Sequence, residues 1–126
     1  MLNNSMPKSE VVIACDPNAV PAEEREQWVH AGKQVYAAVQ EVRETADGYA
    51  FRLPAETTML MKLAEYMSNE RLCCAFLRFN LEIEPGGGPF WLRLTGGEGV
   101  KEYMHAVFDE NDLLDEAVVR AAGLRK

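Results

Sequence analysis

Histidine, cysteine and long apolar runs are all scarce in this 126-residue chain, and each scarcity closes off a class of function. With only His30 and His105, no Ser-His-Asp order and no Cys-His motif is legible, so hydrolase-type nucleophilic catalysis loses its usual machinery. The strong zinc signature, a Cys-x-x-Cys pair that occurs twice, is absent. No apolar stretch approaches the roughly eighteen residues needed to cross a bilayer. Val11-Val12-Ile13-Ala14, behind the lone Lys8, is too short for the core of a signal peptide. Positive charge is also in deficit. Against 20 acids the chain carries 13 lysines and arginines, for a net charge of -7. A general nucleic-acid binder needs a basic face to neutralise phosphates, and an anionic membrane surface attracts one too, so neither partner is expected.

What is present is ordinary for a folded domain: 48% hydrophobic and 26% charged residues, in a length that suits one core. Residues 1–10 are polar and read as a flexible N-terminal segment, with a single α+β domain over 11–123. Val11 to Cys15 reads as a short strand or extended entry, closed by the turn Asp16-Pro17-Asn18. Pro21 suits a first helical position, and Glu23, Glu24 and Glu26 favour a helix N-terminus electrostatically. Trp28, Ala31, Val35 and Val39 then mark a helix over about 21–38, which Gly32 weakens slightly. A hairpin follows, turning at Asp47-Gly48, with Tyr49, Phe51 and Leu53 on one face. A second helix begins near Glu56, with Leu60, Leu63, Met67 and Cys74 on its main stripe and Met59, Tyr66 and Cys73 beside it. Phe79 to Glu84 and Phe90 to Leu94 alternate as a second hairpin around Pro85-Gly86-Gly87-Gly88-Pro89. Val100, Tyr103, Met104 and Val107 define a third helix, and a terminal helix over about 112–122 stops at Gly123. One-sided alternation predicts an antiparallel sheet of two hairpins with three to four helices packed mainly on one face.

Chemistry concentrates at Glu70-Arg71-Leu72-Cys73-Cys74. Glu70 falls where the apolar stripe calls for a hydrophobe, three and four residues before the two thiols, so both can reach its turn. A carboxylate beside thiols can ligate a metal or accept a thiol proton. Alone it disfavours thiolate, whereas Arg71 would favour it. The plain alternative is a Glu70 that reaches solvent at a helix end. Cys73 and Cys74 have a plain reading too, as small buried hydrophobes. Adjacent helical residues point about a hundred degrees apart, a poor chelate, so a site needs Cys15 or another ligand to converge and at most one of the pair should face Glu70. Cys15, at an element boundary, is either half exposed and reactive or buried at a strand end. His30 reads as surface and His105 as lying off the apolar stripe of its helix. Thr95 to Lys101 lies between a strand and a helix, but it lacks phosphate-loop spacing and Glu98 would repel an anion. A plain turn is expected there.

Ala14-Cys15-Asp16, Glu23-Glu24-Arg25, Asp47 to Pro54, Glu70 to Leu77, Phe79 to Pro89 and Trp91 to Gly96 together resemble a family of small uncharacterised bacterial proteins. These carry a Glu-Arg-x-Cys-Cys-Pro-Phe-Leu motif. The likeness spans about residues 14–108 and departs at Ala75, where the group has proline, a residue that would end the helix directly after Cys74. The resemblance implies Cys15, Glu70 and the cysteine pair as landmarks and implies no reaction.

The expectation is therefore a small cytoplasmic protein with a thiol–carboxylate site of Cys15, Glu70, Cys73 and Cys74, suited to soft-metal binding or thiol redox chemistry. Soft thiolates select zinc, copper(I) or another thiophilic ion. In a reducing compartment an odd number of cysteines reads as free thiols rather than a disulfide framework. The competing class is a non-catalytic binding or self-association module, such as a homodimer formed through edge strands and the aromatics Trp91, Phe76 and Phe79. There the cysteines would be structural. A third reading is a small ligand held among Met59, Met61, Tyr66 and Met67.

Overall fold

The structure, a computed structural model, describes residues 13–124; the expected flexible segment 1–10 lies outside them. Residues 13–16 form no strand. They lead into a 3-10 turn over Pro17–Ala19, whose first N–H groups are met by the Asp16 carboxylate: Asn18 N–H donates to Asp16 Oδ1 at 3.1 Å. A second 3-10 turn, Ala22–Glu24, runs directly into helix α1, Arg25–Ala37. Pro21 thus stands just ahead of the helical residues, and Glu23 and Glu24 occupy the opening turn that the helix dipole favours for acids.

Strands β1, Glu41–Thr45, and β2, Gly48–Leu53, form the first hairpin. After helix α2, Thr57–Cys73, strands β3, Arg78–Ile83, and β4, Phe90–Thr95, form the second. Helices α3, Val100–Asn111, and α4, Glu116–Ala122, complete the chain, and Gly123 stops α4 in the left-handed region at φ 72°. The four strands make one antiparallel sheet in the order β1-β2-β4-β3. This is the α+β architecture that the alternating patterns predict.

The sheet separates its residues by alternation. Val42, Tyr49, Phe51, Leu53, Phe90, Leu92 and Leu94 are buried on one face, while Arg43, Arg52, Trp91 and Arg93 stand on the other, as a period of two requires. On that polar face the Arg43 guanidinium lies over the Trp91 ring, 4.5 Å from its centre. It thereby spans β2, and Ala50 beneath it is buried.

Helices α1 and α2 pack together over the buried face. Their close approach depends on Gly32, since a Cβ there would lie 3.1 Å from the Tyr66 ring. The glycine that sequence pattern treats as a weak point of α1 is therefore the seat of an aromatic side chain. Tyr66 joins Tyr36, Phe51 and Phe108 in a buried edge-to-face cluster with centroids 5.1 to 5.7 Å apart, the geometry ring quadrupoles favour. The buried stripe of α2 runs through Met59, Leu63, Tyr66, Asn69 and Cys73. Leu60 and Met67, expected on the main stripe, are half-buried at its margin. Met61 is 67% exposed, so the expected cluster of Met59, Met61, Tyr66 and Met67 does not form one pocket.

Candidate thiol site

The site is built where α2 ends. Cys73 is the last helical residue, and Cys74 has left the helix at φ -112°, ψ 70°, while its N–H still donates to the Glu70 carbonyl at 2.7 Å. A turn follows, closed by Leu77 N–H to the Cys74 carbonyl at 3.1 Å. Alanine at position 75 therefore does not blur the helix end. The local break also removes the geometric objection to the cysteine pair, because two residues diverge by a hundred degrees only while both are helical.

The N-terminal coil is tied to this break by the backbone. Asp16 N–H donates to the Cys73 carbonyl at 2.9 Å, one of the carbonyls a helix terminus leaves without an internal partner. That bond sets Cys15 beside Cys74. Their Cα atoms lie 4.7 Å apart and the two sulfurs form a disulfide, closing 59 residues of chain. The expectation of three free thiols is corrected here. A compartment argument assigns thiol states on average and cannot see a coil pinned against a helix end. Cys73 is the one free thiol among the described residues, and it is buried. All three sulfurs lie within 4.8 Å of one another.

Glu70 is not a freely solvated side chain at the helix end. It is half-buried, and Trp28 Nε1–H donates to its Oε1 at 3.0 Å. Its Oε2 lies 3.3 Å from Cys74 Sγ, a contact that becomes an S–H donor bond when Cys74 is a thiol. Helical spacing leaves either thiol able to face Glu70; the structure places Cys74 there. Burial raises the Glu70 pKa above the usual carboxylate range, while the donors Trp28 and Tyr66 pull it partly back. Cys73 is also raised, by burial first and then by the nearby negative charge of Glu70. Arg71 is exposed and figures among the causes of neither shift.

Two residues complete the surroundings from outside the cysteine motif. Tyr103 of α3 places its hydroxyl 2.9 Å from Cys15 Sγ, and its ring packs edge-on against Phe76 at 5.2 Å. Tyr66 shares a 2.7 Å hydroxyl–hydroxyl bond with Tyr36. A cavity of about 70 Å³ lies between these groups, lined by Cys15, Cys74, Glu70, three tyrosines and apolar residues of α3. Sequence reasoning missed Trp28 and Tyr103 as site residues, and named Tyr66 only for a methionine-lined pocket. Their helical spacing marks them only as core, and nothing local signals that they meet a carboxylate or a sulfur. His30 is exposed and His105 half-buried, and neither joins the sulfurs among the described residues. No family model, curated protein or solved structure matches this chain. The reading of the site rests on its geometry. Among the described residues, no helix is long and apolar enough to cross a membrane.

Proposed function

We propose that the protein carries a thiol–disulfide redox centre in which Cys15 and Cys74 are the exchanging pair and Glu70 is the proton carrier. The observation that carries this reading is the asymmetry of the pair: Cys15 is exposed, Cys74 is buried, and their sulfurs are bonded. An exposed sulfur is open to an external thiolate, which attacks the disulfide and leaves a mixed disulfide on Cys15. The electron pair of the broken bond goes to Cys74 Sγ, and the Glu70 carboxyl beside it, in its protonated form, supplies the proton. A second external thiol then releases Cys15. In sum, two external thiols become one external disulfide, and the protein gains two thiols. In the reverse direction Glu70 accepts the Cys74 proton, and its raised pKa brings it closer to the thiol it must deprotonate.

Titration against reduced and oxidised glutathione, with alkylation and peptide mass mapping, tests the assignment. Cys15 and Cys74 should lose alkylation together as the buffer becomes oxidising, while Cys73 stays alkylatable after denaturation. Three thiols alkylated throughout the oxidising range would refute the reading, as would a bridge that includes Cys73.

A second reading is favoured by one specific observation, the three sulfurs within 4.8 Å. Thiolates bound to one zinc ion at about 2.3 Å would stand roughly 3.8 Å apart, so small side-chain rotations bring the reduced trio to that spacing. Glu70, against Cys74, is the available oxygen donor. Adding zinc or cadmium to the reduced protein should then protect all three thiols from alkylation, and Cys73→Ser should abolish that protection. Equal protection in Cys73→Ser would remove the three-thiolate site.

A further inference from the structure

The redox reading leaves the cavity beside the sulfurs unused, and its chemistry is specific. Of the three thiols only Cys15 and Cys74 border it; Cys73 faces instead a small apolar cluster with Val20. Its walls include Leu94, Met104, Phe108 and Leu113, and its polar lining residues include Glu70, whose Oε2 meets Cys74 Sγ, Tyr103, whose hydroxyl meets Cys15 Sγ, and the hydrogen-bonded pair Tyr36 and Tyr66. At about 70 Å³ it has room for several heavy atoms, given that a single water needs roughly 10 to 15 Å³ on the same measure. A buried carboxyl and apolar walls disfavour an anionic guest. The fitting guest is small, uncharged and partly apolar, with an electrophilic atom presented to sulfur.

We infer that this cavity receives a short-chain alkyl hydroperoxide, which Cys74 reduces to the alcohol. The inference rests on the redox reading above and names its oxidant. Cys74 Sγ–H gives its proton to Glu70 Oε2, and the sulfur attacks the terminal oxygen of R–O–O–H. The O–O bond breaks, an S–O bond forms, and the departing alkoxide takes the proton from Glu70 to leave as R–OH. The same carboxyl is base and then acid. Cys15 Sγ next attacks the Cys74 sulfenic acid, the S–S bond forms, and the hydroxyl leaves with the Cys15 proton as water. A small external dithiol closes the cycle by reducing the disulfide, becoming a disulfide itself. Tyr103, whose hydroxyl is hydrogen-bonded to Cys15 Sγ, is a positioning residue for the second step.

The test is peroxide consumption by the full chain with excess dithiothreitol, comparing ethyl hydroperoxide with cumene hydroperoxide. Ethyl hydroperoxide should be consumed about tenfold faster or more, the discrimination a size-limited apolar pocket supplies. Glu70→Gln should slow the ethyl reaction by about a hundredfold, the scale of a lost general acid–base. In Cys15→Ser, ethyl hydroperoxide should leave a sulfenic acid on Cys74 that dimedone traps and peptide mapping locates. Leu113→Trp, which narrows the cavity from one of its apolar walls, should slow peroxide consumption while its glutathione titration is unchanged; the ethyl–cumene comparison on the native chain decides the same point if that variant does not fold. Consumption no faster than that of a free thiol, equal rates for the two peroxides, or a dimedone label on Cys73 would each overturn the inference. An intact glutathione titration of Cys15 and Cys74 alongside any of these would leave the redox reading standing; loss of that titration would remove both.

Discussion

Trp28→Phe removes the indole donor to Glu70 Oε1 and keeps an aromatic ring in its place. A buried acceptor stripped of its partner costs about 1 to 3 kcal/mol, so urea unfolding should show a loss of that size, growing as pH rises and the carboxyl ionises. Glu70 itself supplies the pH dependence. Its pKa is raised in the folded protein, chiefly by burial, so folding favours the protonated form. Stability attached to that group is present below its unfolded value of about 4.3 and is lost as pH rises through the raised folded value. Glu70→Gln cannot ionise, and the stability of the variant minus that of the native chain should therefore increase from pH 4 to pH 8. A difference that stays flat over that range would contradict a buried, titrating Glu70. That Glu70 meets one of the two thiols is legible in sequence, because residues three and four apart share a helical turn; that it is Cys74 is not. Its indole donor is not legible either, because Trp28 arrives from another helix 42 positions away, and single-sequence spacing carries no information on which helices meet.

Elements were more legible than their arrangement. Both hairpins, all four helices and the stop at Gly123 follow from periodicity and turn residues, which are local properties. The order β1-β2-β4-β3 depends instead on β2 pairing with β4 across the whole of α2. Gly48 shows how closely that pairing is set: a Cβ there would lie 1.9 Å from the Leu94 carbonyl oxygen, a backbone atom of the neighbouring strand. The Asp47-Gly48 pair was read as a hairpin turn, and the second constraint, from β4, was invisible without the strand order. Gly48→Ala must push β2 from β4 and should cost about 1 to 3 kcal/mol or more, the usual range for overpacking. Chemical denaturation with amide exchange of β2 checks it, and a change below about 0.5 kcal/mol, the scale of an ordinary surface substitution, would mean that the register relaxes freely. The helix break at Cys74 belongs to the same scale. Sequence pattern carries the helix through the cysteine pair and so makes the pair a poor chelate; the non-helical φ and ψ of Cys74, whose N–H still donates to the Glu70 carbonyl, remove that objection.

At the scale of the molecule the Cys15–Cys74 link encloses α1, the first hairpin and α2 in one covalent loop of 59 positions. By the chain-entropy account, closing such a loop in the unfolded state stabilises the fold by up to about 4 kcal/mol. The link also holds a coil that is tied further, among the described residues, by the Asp16–Cys73 backbone bond, the Tyr103 hydroxyl at Cys15 Sγ and Ile13 packed on the core. If the centre is to be reduced and reoxidised, the folded state must survive without it, and the architecture supports that. The helical face and the sheet bury their core independently of residues 13–16, with Phe51, Leu53, Leu63 and Leu92 fully enclosed. Dithiothreitol should therefore lower the urea midpoint by an amount equivalent to about 2 to 4 kcal/mol while the far-ultraviolet circular dichroism of the native baseline stays unchanged. Cys15→Ser should match the reduced native chain and be insensitive to dithiothreitol. Cys73→Ser should keep the full redox-dependent shift, since its sulfur stands outside the link. Unfolding on reduction alone would make the bond a structural staple, and the exchange chemistry proposed for it would then have no folded reduced state in which to occur.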